Sequence, residues 1–303
     1  MVVTVVNDER LDELIGAVDL DGLVRLVDQR CSERDWDGLL RVRDRCTRAT
    51  RETGRQLWPA ATLAEYRLAL LAPAAWAASV LDGESGRFTI GPLSEVAAVN
   101  HTWAELAPYV ASSPIALFIA HERGLRGEAI DDGTLAHLPP VLDIPARRRR
   151  WEPVYPVATY TEAGVDHPTP NCSGPVEHVT IPATGGDRIV ADDEVEAAVR
   201  QLVDAWTSSS TGRAETVCVE GDHRDALGAL GVRNARITPI PADEAIGLLA
   251  WAGASGGAHG RRRGLAIGRF SAWWLLAALG DLDWPPTDDD VTDLLDELQW
   301  FRW

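Results

Sequence analysis

The chain has 303 residues, 46% apolar and 25% charged, which is enough to bury full cores and long enough for two domains. A net charge of −17 repels nucleic acid and anionic membrane over most of the surface, so neither is an expected partner. The opening stretch MVVTVVNDERLDEL turns acidic within eight residues and lacks the pattern of a secretory signal, which gives a cytoplasmic expectation.

All 29 basic residues are arginine; the chain contains no lysine. Codon bias in a GC-rich genome accounts for that, since Ala, Gly, Arg and Asp are abundant throughout. Exclusion of a modifiable ε-amine is the sharper alternative. Cys31, Cys46, Cys172 and Cys218 are scattered, with no C-x-x-C pair, and read as free thiols.

Residues 8–125 read as helix after helix. Leu11, Leu14, Ile15, Leu20, Leu23, Val24 and Val27 recur at helical spacing. Asp35 precedes a second amphipathic run with Trp36, Leu39, Leu40 and Val42 on one side. Pro59 suits a first helical turn and Pro73 starts a new segment. GPLSEVAAVN, HTWAELAPYV and PIALFIAHERGL complete the series, and His121–Glu122 reads as a surface pair. The expectation is an α-helical domain over residues 1–126, solenoid-like or a bundle, with no repeat of fixed period.

Residues 127–150 hold three prolines, acidic residues and the run Arg147–Arg150, and read as a linker. The arginine run suits a solvated or carboxylate-paired patch. Residues 151–303 read as a smaller α/β domain with a C-terminal helical part, making the whole chain α+β. WEPVYPVATYT and VEHVTIPA alternate as strands do. DDEVEAAVRQLVDAWT is an N-capped helix. AETVCVEG, DHRDALGALG, RNARITPIP and PADEAIGLLAWAG then run strand, helix, strand, helix, which predicts a parallel pair with a right-handed crossover. The turn after Val219 has no G-x-G-x-x-G and no Walker lysine, so nothing calls for a dinucleotide or P-loop site. TDDDVTDLLDELQWFRW reads as an amphipathic terminal helix.

The chemistry concentrates in SGGAHGRRRG, residues 255–264. Ala252, Gly256, Gly260, Gly264, Gly268 and Ala272 fall four apart, a row almost without side chains if helical. Four interior glycines would cost about 4 kcal/mol relative to alanine. A loop at Ser255–Gly257 followed by a helix from near Ala258 avoids part of that cost and is favoured. Ser255, His259, Arg262, Ala266 and Arg269 then share one face, beside the N–H groups of a helix start.

Ser255, Gly256, Gly257, His259, Arg262 and Arg269, with His223 as a partner after a strand, are therefore the candidate anion-binding residues. The competing reading has the arginines neutralised by carboxylates inside the fold, as a clamp between domains. LAIGRFSAWWLLAALG is too short for a membrane span and contains Arg269, so it reads as a buried core helix. His167, Cys172 and His178 fit no standard zinc spacing, and no metal or other cofactor is expected. No G-x-S-x-G marks a hydrolase.

WAGASGGAHGRRRGLAIGRFSAWW, LWPAATLAEYRLALLAPAAWAASVL and FTIGPLSEVAAVNHTWAEL together resemble a family of actinobacterial proteins of unknown function. The likeness covers much of the chain and implies no activity. The sequence thus points to a non-catalytic binding or scaffolding protein engaging a protein partner or a small anionic ligand. The alternative is an enzyme or sensor of a phosphorylated or nucleotide-like molecule, with Arg262 and Arg269 holding the anion and His259 acting as acid or base.

Overall fold

The computed structural model describes residues 8–81, 91–110, 112–171, 174–181, 189–208, 211–257 and 260–303. Cys172 and His259 lie outside the described residues. Fourteen α-helices and seven short strands are present among them, and every strand pairing is antiparallel, so the chain is α+β. It divides into two compact units: Met1–Arg123 with Thr159–Asp166, and Gly124–Ala158 with His167–Trp303.

The first unit is built from α1 (Glu9–Ala17), α2 (Leu20–Ser32), α3 (Trp36–Thr53), α4 (Trp58–Leu71), α5 (Ala74–Ala78), α6 (Leu93–Asn100), α7 (Trp103–Val110) and α8 (Ile115–Leu125). A hairpin of β1 (Thr159–Thr161) and β2 (Gly164–Asp166) joins them. Asp19 and Asp35 cap α2 and α3 by accepting from Gly22 N and Gly38 N at 2.8 and 2.9 Å. The turn between these helices ends α2 with Asp35 N–H donating to Arg30 O and Arg34 N–H to Cys31 O. That arrangement puts Arg34 at φ 57, in the left-handed region where glycine is the usual occupant.

Helix α4 packs against α2, α3 and α6. It is buried over most of its circumference, as a central helix must be, with Ala60, Ala64, Leu68 and Leu70 at 1% exposure or less. Glu65, Tyr66 and Arg67 sit in the middle of this apolar helix and are buried too. His121 and Glu122 are each only 1% exposed, so they are core residues and not the surface pair their helix pattern suggested. Helix α8 follows too weak a polar periodicity for the pair to be assigned a face from sequence.

The second unit opens with residues 124–158, whose regular structure beyond the last residues of α8 is one 3-10 turn at Asp132–Leu135. Within it residues 127–150, read from sequence as a linker, bury Ile130, Leu135, Leu138, Leu142, Ile144 and Ala146. After it come β3 (Glu177–Thr180), β4 (Ile189–Val190), α9 (Asp193–Leu202), α10 (Asp204–Ser208), β5 (Cys218–Val219), α11 (His223–Ala229), β6 (Asn234–Ile240), α12 (Ala242–Ala254), α13 (Leu265–Leu279), α14 (Asp288–Glu297) and β7 (Trp300–Arg302). This unit takes the longer share of the chain.

The expected parallel crossover does not form. β6 pairs antiparallel with β3 along Asn234–Ile237 and with β7 along Thr238–Ile240, and not with β5. β5 pairs with β4 instead. The Trp-rich end is accordingly a strand rather than the last turn of a helix. Its pairing of Phe301 with Pro239 and Trp300 with Ile240 recruits aromatic side chains to a sheet edge.

The core of this unit forms around α12 and α13, where Ile246, Ala250, Ala254, Leu265, Ala272 and Leu276 meet Tyr155 and Val291. On another side of α13, Leu275 and Ala278 pack with Val195, Ala198 and Leu202 of α9. Among the described residues no helix is long and apolar enough to cross a membrane.

Candidate functional site

Residues 255–269 do not form one helical face. α12 ends at Ala254, a loop follows, and α13 begins at Leu265 rather than near Ala258. Gly264 explains the later start: at φ 97 it takes a backbone turn that a side chain resists, and only beyond it can helical hydrogen bonding begin. Ser255 and Arg262 therefore lie in the loop while Arg269 lies on the helix.

The loop is folded tightly upon itself. Ser255 Oγ accepts from Gly257 N at 3.2 Å, and a Cβ on Gly256 would overlap the Arg261 backbone. Arg263 ties the loop to α9 by donating to Gln201 O at 3.0 Å; burial lowers its pKa, against the opposing pull of Asp204. Arg262 is half-buried and has a partner of its own.

Arg269 is fully buried, and its guanidinium is spent inside the second unit. Nε and Nη2 donate to the two oxygens of Glu152 at 2.6 and 2.7 Å, a bidentate fork. Nη1 donates to Pro145 O at 2.6 Å and Nη2 also to Arg147 O at 3.3 Å. Glu152 in turn accepts from Trp273 Nε1 at 2.9 Å, Tyr155 OH at 2.9 Å and Arg149 N at 2.7 Å.

Burial alone would raise the Glu152 pKa, but the Arg269 charge and these hydrogen bonds hold it below the ordinary carboxylate value. Burial, then the Glu152 charge, pushes the Tyr155 hydroxyl well above its ordinary value. The expectation that Arg269 binds an external anion is thus corrected: its anion is Glu152, and its partners lie in residues 145–152 of the same unit. The Arg147–Arg150 run is anchored with it, Arg149 pairing at 3.6 Å with Asp288.

His223 stands elsewhere. It is the first residue of α11, behind a capping box of Asp222 and Asp225, and its ring stacks on Phe301 at 4.2 Å. It lines a cavity of about 420 Å³ with Leu227, Ile237, Trp300 and Trp303, among others, and no described residue of 255–269 is in that wall. The proposed pairing of His223 with the loop is not formed there.

A larger recess lies in the first unit. It encloses about 740 Å³ and is lined by Asp28, Cys31, Ser32, Arg34, Trp36, Arg67, Leu71, Pro73 and Glu162. Volumes of this order are those of small-molecule sites. Arg67 is the buried charged residue of that lining. Its side chain is 10% exposed, with Nη2 donating to Asp28 at 3.3 Å and Nη1 facing Glu162 at 3.7 Å, beyond hydrogen-bond reach. Nε and Nη1 are buried and meet no hydrogen-bond acceptor among the described residues. A buried donor left unpaired costs on the order of 1–3 kcal/mol, and more when charged.

Arg67 is held in place by its own helix. Tyr66, the preceding residue, donates to Thr161 O at 2.7 Å and meets Tyr160 edge to face. Tyr160 donates to Glu95 Oε2 at 2.7 Å. These bonds dock the β1–β2 hairpin that carries Glu162. Cys31 beside Arg67 is a free thiol; burial, then the Glu162 charge, raises its pKa despite the pull of Arg67.

Sequence reasoning passed over Arg67 because the surrounding helix reads as plain core. The available signal was the polar triplet Glu65–Tyr66–Arg67 inside LAEYRLALL, where three polar residues interrupt an otherwise apolar run. Among the described residues no group of three His, Cys, Asp or Glu side chains converges as a metal site.

No curated protein and no solved structure matches the chain. One sequence family does, and its match spans residues 21–303. The Arg67 recess, the Glu152–Arg269 core and the glycine loop all fall within that span, and the chain belongs to this family of unknown function, DUF6183.

Proposed function

We propose that this chain is a non-catalytic binding protein whose helical unit takes a small ligand through an anionic group seated on Arg67. The observation that carries the reading is the Arg67 guanidinium, with buried Nε and Nη1 short of acceptors, in the wall of a recess of about 740 Å³. A carboxylate or phosphate oxygen supplies the acceptors the fold leaves out, with the fork geometry a guanidinium favours. Glu162, 63% exposed, faces Arg67 Nη1 without satisfying it.

The recess is poorly equipped for catalysis. Among the described residues its lining has no histidine, and the thiol of Cys31 is held protonated by burial and by Glu162. Arg34 adds a second guanidinium on a strained backbone, which is the kind of local cost that a binding role offsets.

A thermal-shift screen of the full chain with phosphates, simple carboxylates, amino acids and dipeptides tests this. A ligand at 100 times its Kd adds about 2.7 kcal/mol, roughly 5–10 °C for units of this size. The shift should vanish in Arg67→Gln. Should that variant not fold, Arg67→Lys, which keeps the charge and loses the fork, should lose most of it. The reading fails if no member of the set shifts the melting temperature, or if a shift survives unchanged in both variants.

A further inference from the structure

The charges around Arg67 define the ligand more narrowly. Two guanidiniums, Arg34 and Arg67, line the recess with two carboxylates, Asp28 and Glu162. Their formal charges cancel. Asp28 stands 3.3 Å and Glu162 3.7 Å from the Arg67 nitrogens, so any anion that reaches Arg67 also comes within a few ångströms of two negative groups. A phosphate dianion meets repulsion there that offsets much of what Arg67 offers. A simple cation meets the converse at Arg34 and Arg67.

Asp28 and Glu162 are not consumed by Arg67. Their side chains are 54% and 63% exposed, and each leaves an oxygen that no pairing with Arg67 uses. Cys31, which shares this wall, remains a neutral thiol and adds no charge. The rest of the lining is apolar or aromatic: Trp36, Leu71 and Pro73. A ligand that satisfies all of this carries a negative end, a positive end and a nonpolar body. At about 740 Å³ the recess has room beyond a single small amino acid.

We infer that the ligand is a zwitterion of the short-peptide class, its carboxylate on Arg67 and Arg34, its ammonium between Asp28 and Glu162, and an apolar side chain against Trp36, Leu71 and Pro73. The inference rests on the recess being a binding site, and deepens that reading.

Calorimetric titration of the full chain with four probes tests it: an aromatic dipeptide with free termini, its N-acetyl form, its C-terminal amide, and inorganic phosphate. The free dipeptide should bind, and blocking either terminus should weaken it at least tenfold. Asp28→Asn with Glu162→Gln, both at exposed side chains, should weaken the dipeptide at least tenfold and strengthen phosphate and the N-acetyl form. If phosphate or the N-acetyl form binds as well as the free dipeptide, and the double variant changes neither, the zwitterion assignment is overturned while the anion site stands. If none of the four probes binds wild type, the zwitterion assignment falls, and the anion site falls with it only when the wider thermal-shift set also gives no shift.

Discussion

Arg269 shows why an arginine in an apolar helix is ambiguous from sequence. Its charge and helix position were legible, and so was the rule that a buried guanidinium must be neutralised. Glu152 was not, because it lies 117 residues away in a stretch that reads as a strand, with nothing in its pattern to pair it with Arg269. Truncation to Arg269→Met should cost about 3–5 kcal/mol, since it strands a buried carboxylate. Adding Glu152→Gln should restore at least half of that, measured by urea unfolding. Arg269→Lys should also destabilise, because an ammonium cannot make the two-oxygen fork and reach Pro145 O together.

The same carboxylate sets an acid limb. Its folded pKa lies below the ordinary value of 4.5, so the stability it contributes is complete above about pH 4.5 and lost as pH falls toward the folded value. Glu152→Gln should be less stable at neutral pH, yet lose stability less steeply than wild type as the pH falls below about 4.5. A limb of equal steepness would remove Glu152 from the account. At Arg34 the expectation is the reverse of a core residue. Arg34→Gly relieves the left-handed strain but enlarges unfolded-state entropy, so stability should stay within about 1 kcal/mol while ligand affinity drops.

Among the elements, the glycine row was half legible. Its fourfold spacing implied close helix packing, and close packing is found, but through Gly253 of α12 and Gly268 of α13. A Cβ on Gly253 would come 3.0 Å from Gly268 Cα, and one on Gly268 would overlap Ala250 O. Gly256, Gly260 and Gly264 serve the loop instead. Spacing alone could not separate the two roles, because the deciding fact is the backbone angle at Gly264. Gly268→Ala should therefore force the two helices apart and cost about 1–3 kcal/mol. Gly16, with nothing within 4 Å of its Cβ position, should accept alanine and gain a few tenths of a kcal/mol or more. Equal effects at the two positions in thermal melts would contradict the packing described.

Helices were the readily legible elements because caps and prolines mark them: Asp19, Asp35, Asp192, Asp222 and Thr287 all accept from their helix N-termini. Strand pairing was not, because partner choice is a long-range property; β6 finds β3 and β7 across 54 and more residues.

For the molecule as a whole, the acidic composition correctly turned attention to how its arginines are neutralised, and the structure answers differently for each. Arg269 is satisfied within the fold, Arg263 by a carbonyl, and Arg67 only in part. The site was missed from sequence because the Arg-rich loop drew the eye, while Arg67 was camouflaged in the apolar centre of α4. Its significance depends on Asp28 and Glu162, which only the folded unit brings to it. The most direct measurement is calorimetric titration of an aromatic dipeptide with free termini into wild type and into Arg67→Gln, each shown by circular dichroism to be folded. Saturable binding to wild type with at least a tenfold loss in the variant is the predicted result. Equal affinity in the two proteins would contradict the account, because the partly satisfied guanidinium would then have no part in recognition.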